Sequence, residues 1–160
     1  MNTQNYSNSL IAAIKLAKAM AHQDKHLSYG VAHLVIAMLT EQTGLRDILT
    51  SMQKEVSYIS DWFETYREMY VSVEHDSDEI IPDHEVEMIL DEAERSKIKL
   101  GTDSVDALCV FTAIIRDGVV YSHQQIESIG VSENEVMEYF DAATSPLSPV
   151  AEMDMGSSIQ

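Results

Sequence analysis

Two segments of this chain are apolar on every side, and they occupy equivalent places in a repeated plan. The first runs through Val31-Ala32-His33-Leu34-Val35-Ile36-Ala37-Met38-Leu39, within a helix expected from about Tyr29 to Thr40. The second runs from Leu108 to Ile115. A helix without a polar face has to be covered all round. Neither half of the chain holds enough other helix to do this alone, so the two are expected to pack into one globule.

The halves superpose with a shift of about 76 residues: Ala17 meets Ala93, Ser28 meets Ser104, Ala37 meets Ala113 and Leu39 meets Ile115. One residue is then inserted, after which Leu49 meets Ile126, Met52 meets Ile129, Trp62 meets Tyr139 and Phe63 meets Phe140. This is an internal duplication. Each copy reads as a long helix, a break, an apolar helix, a short helix and a last helix. In the first helix Leu10, Ile14, Ala17 and Ala21 share one face, with Ser7 or Asn8 as N-cap. A short helix starts at Leu45, and a fourth, from Val56 to about Tyr70, carries Ile59, Phe63 and Tyr66 with Trp62 beside them. In the second copy Asp83 caps a helix from His84 to about Lys99, with Met88 or Ile89, Ala93 and Lys97 in step, broken at Leu100-Gly101. Helices from Ser122 to Ile129 and from Ser132 to about Phe140 complete it. The fold class is all-α, with about eight helices in two pseudo-symmetric halves. Repeat one spans about 6–71, an acidic linker about 72–82, repeat two about 83–140, and a flexible tether 141–160.

The formal net charge of −17 excludes the partners that carry the same sign. Nucleic acid and anionic membrane surfaces are repelled, whereas neutral, apolar or basic partners are favoured. MNTQNYSNSL carries no basic stretch followed by an apolar one, and no apolar run is long enough to span a bilayer. A single cysteine, Cys109, fits a reducing compartment. The expected location is cytoplasmic.

No catalytic signature is present. GxSxG, GxxxxGK[ST] and GxGxxG are all missing, so neither a nucleophile elbow nor a phosphate cradle is expected. Cys109 lies inside an apolar helix, where a thiol is inert packing. His22 and His26 stand four apart and His33 is near. With no HExxH and no cysteine or carboxylate at ligand spacing, they read as two surface histidines and one packed at the start of a buried helix. Glu74-His75-Asp76-Ser77-Asp78-Glu79 lacks the glycine and the terminal glutamate of a calcium loop and reads as solvated linker. No metal and no cofactor is expected. What remains is apolar surface: Ile11 lies off the core stripe between Ser7 and Lys15, and Leu108 stands before the inward positions of its helix. Together they could line a groove.

The run Leu10…Ala13-Ile14…Ala17…Ala21, a break, then Val31 to Leu39 resembles the first Clp N-terminal repeat, an Ala-rich helix followed by an HLLxAL-like helix. The second copy, Ile89…Ala93…Leu100-Gly101 then Cys109-Val110-Phe111-Thr112-Ala113-Ile114, has Cys109 at the histidine position. Within that family, Tyr29-Gly30-Val31-Ala32-His33-Leu34, Gly44-Leu45-Arg46 and Asp61-Trp62 look most like the type VI secretion sheath-disassembly ATPase in its Bacteroidetes versions. The resemblance implies a substrate-recognition domain, tethered to a hexameric AAA+ ring and monomeric by itself, with no ATPase module of its own. It implies capture of a helix of a sheath subunit in a groove. The expected groove residues in this chain are Ser7, Ile11, Lys15 and Leu108, of which Leu108 aligns with a rim position of the related groove in disaggregase N-domains. The other role the family implies is that of a general disaggregase or Clp-protease N-domain, which binds unfolded segments or an adaptor.

Overall fold

The computed structural model describes residues 5–40, 42–73 and 79–144. Eight helices appear among them. The first repeat contains α1 (Asn8–Gln23), α2 (Val31–Thr40), α3 (Leu45–Ser51) and α4 (Val56–Met69). The second contains α5 (His84–Leu100), α6 (Ala107–Ile114), α7 (His123–Ile129) and α8 (Glu133–Thr144). Two short strands, β1 (Ser28–Tyr29) and β2 (Ile81–Pro82), pair in parallel.

The apolar spacing of α1 places Leu10, Ile14, Ala17 and Ala21 in the core, joined by Ala13 and Met20. Every residue of α2 from Val31 to Leu39 is buried, as is all of α6. α1 packs on α2 and α5 on α6, and α2 also packs on α4. One hydrophobic cluster runs through both repeats, so the duplicated units share a core. On α5 it is Ile89 that faces inward, fully buried, while Met88 is 38 % exposed. Lys97, expected in step with the stripe, stays out of the buried core, and Ser96 and Leu100 take the inward positions. Burying an unpaired ammonium would cost far more than burying a small hydroxyl. Gly101 closes α5 at φ +72°, a left-handed conformation that glycine adopts without a Cβ penalty.

Two boundaries differ from the sequence reading. α8 continues to Thr144, through residues assigned to the tether, because Ala142 and Ala143 are strong helix formers. The rest of the expected tether, 145–160, lies outside the described residues, as does 74–78 of the acidic linker. The linker's end is docked: Ile80 is buried, and Ile81-Pro82 forms β2.

The docking at β2 is half of a crossed pair. Tyr29, just before α2, pairs with Pro82, just before α5. Tyr6, just before α1, pairs with Val105, just before α6. The second pair is the first with the repeats exchanged, displaced by the same offset of about 76 residues. The hydrogen bonds repeat as well. Ser7 N–H donates to the Val105 carbonyl at 2.9 Å, and Asp83 N–H donates to the Tyr29 carbonyl at 3.0 Å. Ser7 Oγ then caps α1 by accepting from Leu10 N–H at 3.1 Å, and Asp83 Oδ1 caps α5 by accepting from Val86 N–H at 2.8 Å. Each repeat's long helix therefore begins on the other repeat's apolar helix.

A second contact locks the halves. Trp62 of α4 stacks on Tyr66 at 4.4 Å and meets Tyr121 edge-on at 5.5 Å. Its indole N–H donates to Ser128 Oγ of α7 at 3.0 Å, and Tyr58 donates to the Ser128 carbonyl at 2.8 Å. Lys54 and Glu135 pair across the same seam at 2.6 Å. Because the two caps are equivalent, Ser7→Ala and Asp83→Ala should each lower unfolding free energy by about 1 kcal/mol. Urea denaturation of the two variants beside the parent measures this.

Candidate functional site

The Tyr6–Val105 bridge sets the geometry of the face proposed from the sequence. It brings Ser7, just before α1, beside Val105, two residues before α6, with Ile11 one turn further along α1. Ile11 is partly buried against the core, and Lys15 is exposed on the next turn. The Ser7 hydroxyl caps α1, one of the two caps expected there, and lies 3.3 Å from Ser9 Oγ. One expectation needs correcting. Leu108 is not exposed surface but a core residue, 5 % accessible. The cause is that α6 starts at Ala107, capped by Asp106, and no side of it meets solvent.

A polar cluster that the sequence reading missed lies at the other junction, where α2 begins. α2 follows Gly30, which has no side chain to cap it, whereas α6 follows Asp106, whose carboxylate accepts from Cys109 N–H at 3.0 Å. Repeat one replaces that cap with two side chains, one distant and one local. The Tyr70 hydroxyl, from just beyond α4, accepts from Ala32 N–H at 3.0 Å. His33 Nδ1 accepts from Gly30 N–H at 3.0 Å. With Nδ1 accepting, the ring proton of neutral His33 sits on Nε2, where it donates to Asp24 Oδ2 at 3.2 Å. Arg67 holds the same carboxylate with two bonds, at 2.6 and 3.0 Å.

The charges follow from burial. Desolvation pushes the His33 pKa down to about 4 despite the Asp24 hydrogen bond that opposes it. The Arg67 hydrogen bond holds Asp24 below the usual carboxylate range. Burial lifts the Tyr70 phenol to about 12 and the Cys109 thiol to about 11. Cys109 is therefore a protonated, packed thiol rather than a nucleophile.

Asp24, His26 and His33 bring one ligand atom each to within 4.8 Å of one another. His26 is 6 % exposed, so the expectation of a surface histidine there is corrected, and Asp24 supplies the carboxylate that sequence spacing did not reveal. The chemistry of this set is that of a capping network. His33 has both nitrogens committed, and Asp24 already faces a guanidinium that a cation would have to displace. The one sequence signal for it was a buried histidine three residues after a glycine helix start, which requires partners.

The fold is a duplicated all-α domain with crossed clasps, capped apolar helices and a buried thiol. Residues 5–126 match the Clp repeat (R) N-terminal domain family, and the chain belongs to it. No curated protein matches its sequence. Among solved structures, the Hsp104 N-terminal domain from Candida albicans is similar at TM-score 0.71 and 15% identity, covering 90% of this chain and 94% of that one. The N-domain of ClpV from Vibrio cholerae is similar at TM-score 0.71 and 15% identity, covering 86% and 83%. A third, described as a peptide from the EAEC T6SS Sci1 SciI protein, is similar at TM-score 0.70 and 10% identity, covering 87% and 90%. These likenesses establish the fold. The family match is to an N-terminal domain rather than a catalytic one.

Two outcomes follow from the capping network. A Cβ on Gly30 would meet the Tyr70 ring and hydroxyl at 2.5–2.7 Å, so Gly30→Ala should cost about 1–3 kcal/mol in a urea titration. The His33 pKa is lowered in the fold from 6.5 to about 4, so the unfolded chain takes up a proton that the folded one refuses. His33 contributes fully above pH 6.5, and its contribution is lost as pH falls toward 4. Asp24, also lowered, adds to the loss in the same direction at still lower pH. Unfolding at pH 5.5 should take up about one proton fewer in His33→Gln than in the parent, read from the pH dependence of the urea midpoint.

Proposed function

We propose that this domain is the substrate-recognition N-domain of a Clp-type AAA+ unfoldase, and that it captures a helix of a type VI secretion sheath subunit for disassembly by a hexameric parent enzyme. The observation that carries the reading is the junction of α1 with α6. Ile11 is partly buried and Lys15 exposed on α1, whose start is bridged to the segment before α6, so an incoming helix would find an apolar ledge with a cationic rim. Ser7 holds the ledge in place through its cap. The similarity to ClpV of Vibrio cholerae, and to a structure described by a type VI secretion peptide, supports this substrate class. Among the described residues no helix is long and apolar enough to cross a membrane.

The similarity to the Hsp104 N-terminal domain favours a second reading, that of a general disaggregase domain binding unfolded segments at the same ledge. Anisotropy titration with two labelled peptides separates them: the N-terminal helix of a larger sheath subunit, and an unstructured apolar peptide of equal length. Sheath capture requires affinity near micromolar for the first and at least about tenfold weaker binding of the second. Ile11→Asp should weaken the sheath peptide about tenfold or more, since a carboxylate desolvated on an apolar ledge finds no partner. Lys15→Ala should act chiefly on association rate. Leu108→Asp is unsuitable, because it would place the charge in the core. Unchanged binding by a folded Ile11→Asp variant would move the site elsewhere.

A further inference from the structure

The chain's other junction, around β1 and β2, carries a surface that the ledge on α1 does not use. Few large apolar side chains are strongly exposed among the described residues, and they are not scattered evenly. Leu27, Val71 and Val73, at 47%, 81% and 46% exposure, line one notch of about 320 Å³, and Ile81, at 56%, lies on the strand paired with Ser28 beside it. Singly exposed hydrophobes need no explanation, but a contiguous group around a concavity marks an interaction surface. The group is held rigidly. Val73 N–H donates to the Lys25 carbonyl at 2.8 Å, and Ser72 Oγ donates to the Asp24 carbonyl at 2.8 Å, which pins the segment after α4 along the end of α1.

The notch continues into a second one. Tyr70 and His26 line both, and the second, about 420 Å³, is walled by Glu64, Glu68, Asp24 and Arg67. Arg67 is the single cation among those walls, and it is consumed by Asp24 at 2.6 Å and Glu64 at 3.6 Å. Three carboxylates face one guanidinium, on a chain of net charge −17. The trough is therefore apolar at one end and anionic at the other.

From this juxtaposition we infer that the trough is a second docking site, distinct from the α1 ledge, and that it takes a short peptide segment carrying an aliphatic anchor next to basic residues. The anchor fills the notch of Leu27, Val71 and Val73. An arginine or lysine of the segment reaches Glu68 and Glu64. Charge decides between the occupants such a face could have. A second copy of this chain would bring its own excess of carboxylates against Glu64 and Glu68, and an anionic bilayer would meet the same repulsion. A basic segment is drawn in.

The test uses the full chain and fluorescein-labelled peptides of one length: one with Leu beside a pair of Arg, one with Glu replacing Arg, and one with Ser replacing Leu. The Leu/Arg peptide should bind, and each replacement should weaken binding by about tenfold or more, with the Arg contribution fading as salt rises. Val71→Asp and Glu68→Lys lie on the surface, and each should weaken the Leu/Arg peptide about tenfold with helicity intact. Ile98→Asp, at a residue 80% exposed on α5, should leave it unchanged. The sheath-helix peptide should not displace it. The inference fails if no peptide binds at millimolar concentration, if the three bind alike, or if Val71→Asp binds as the parent does. Displacement by the sheath peptide would merge the trough with the ledge. Sedimentation showing a dimer that Val71→Asp dissolves would make the face a self-contact. Either result overturns it.

Discussion

The structure depends on the burial of two helices that have no wet face. α2 is covered from Val31 to Leu39 and α6 along its whole length, and the rest of the chain is arranged to do the covering. α1 lies on α2 and α5 on α6, and the clasps before them anchor each cover on the opposite repeat. Burying the helices also buries their first N–H groups, which have no intrahelical partners and cannot be left to water. The two repeats solve this differently. Asp106 caps α6 from within its own segment, whereas α2 borrows Tyr70 from the far end of its repeat and fixes His33 with Asp24 and Arg67.

That difference explains an asymmetry visible in the raw sequence. His33 and Cys109 are equivalent positions of the duplication, yet only one needs a polar side chain. Where an aspartate caps the helix, the equivalent residue is free to be a small packed thiol. Where a glycine stands, close approach of the Tyr70 ring forbids any Cβ, and the histidine supplies the missing acceptor. The arrangement also ties the end of α4 to the end of α1, which shapes the trough beneath Val71 and Val73.

The helices, their order and their duplication were legible because apolar periodicity and small residues repeat at a fixed offset. Caps such as Ser7 and Asp83 were legible from their types and places. The polar cluster was not, since Asp24, Arg67 and Tyr70 are far apart in the chain and meet His33 only after folding. The candidate ledge was legible in part. Ile11 stands off the core stripe as its spacing requires, but Leu108 is core, since an all-apolar helix has no periodicity from which an outward position can be picked. The trough gave no signal, since Leu27, Val71 and Ile81 come from three separate segments.

The crossed clasps have a consequence for the chain as it is made. Tyr6 and Ser7 emerge from the ribosome long before Val105, to which they must bond. Until that residue appears, the first helix has no anchored start and the first repeat no complete cover, although all its own helices have been synthesised. Closing this long loop comes late by necessity, and the apolar α2 waits with part of its surface open in the meantime. The N-terminal repeat is thus finished by the C-terminal one, and the domain becomes native as a unit rather than one half at a time.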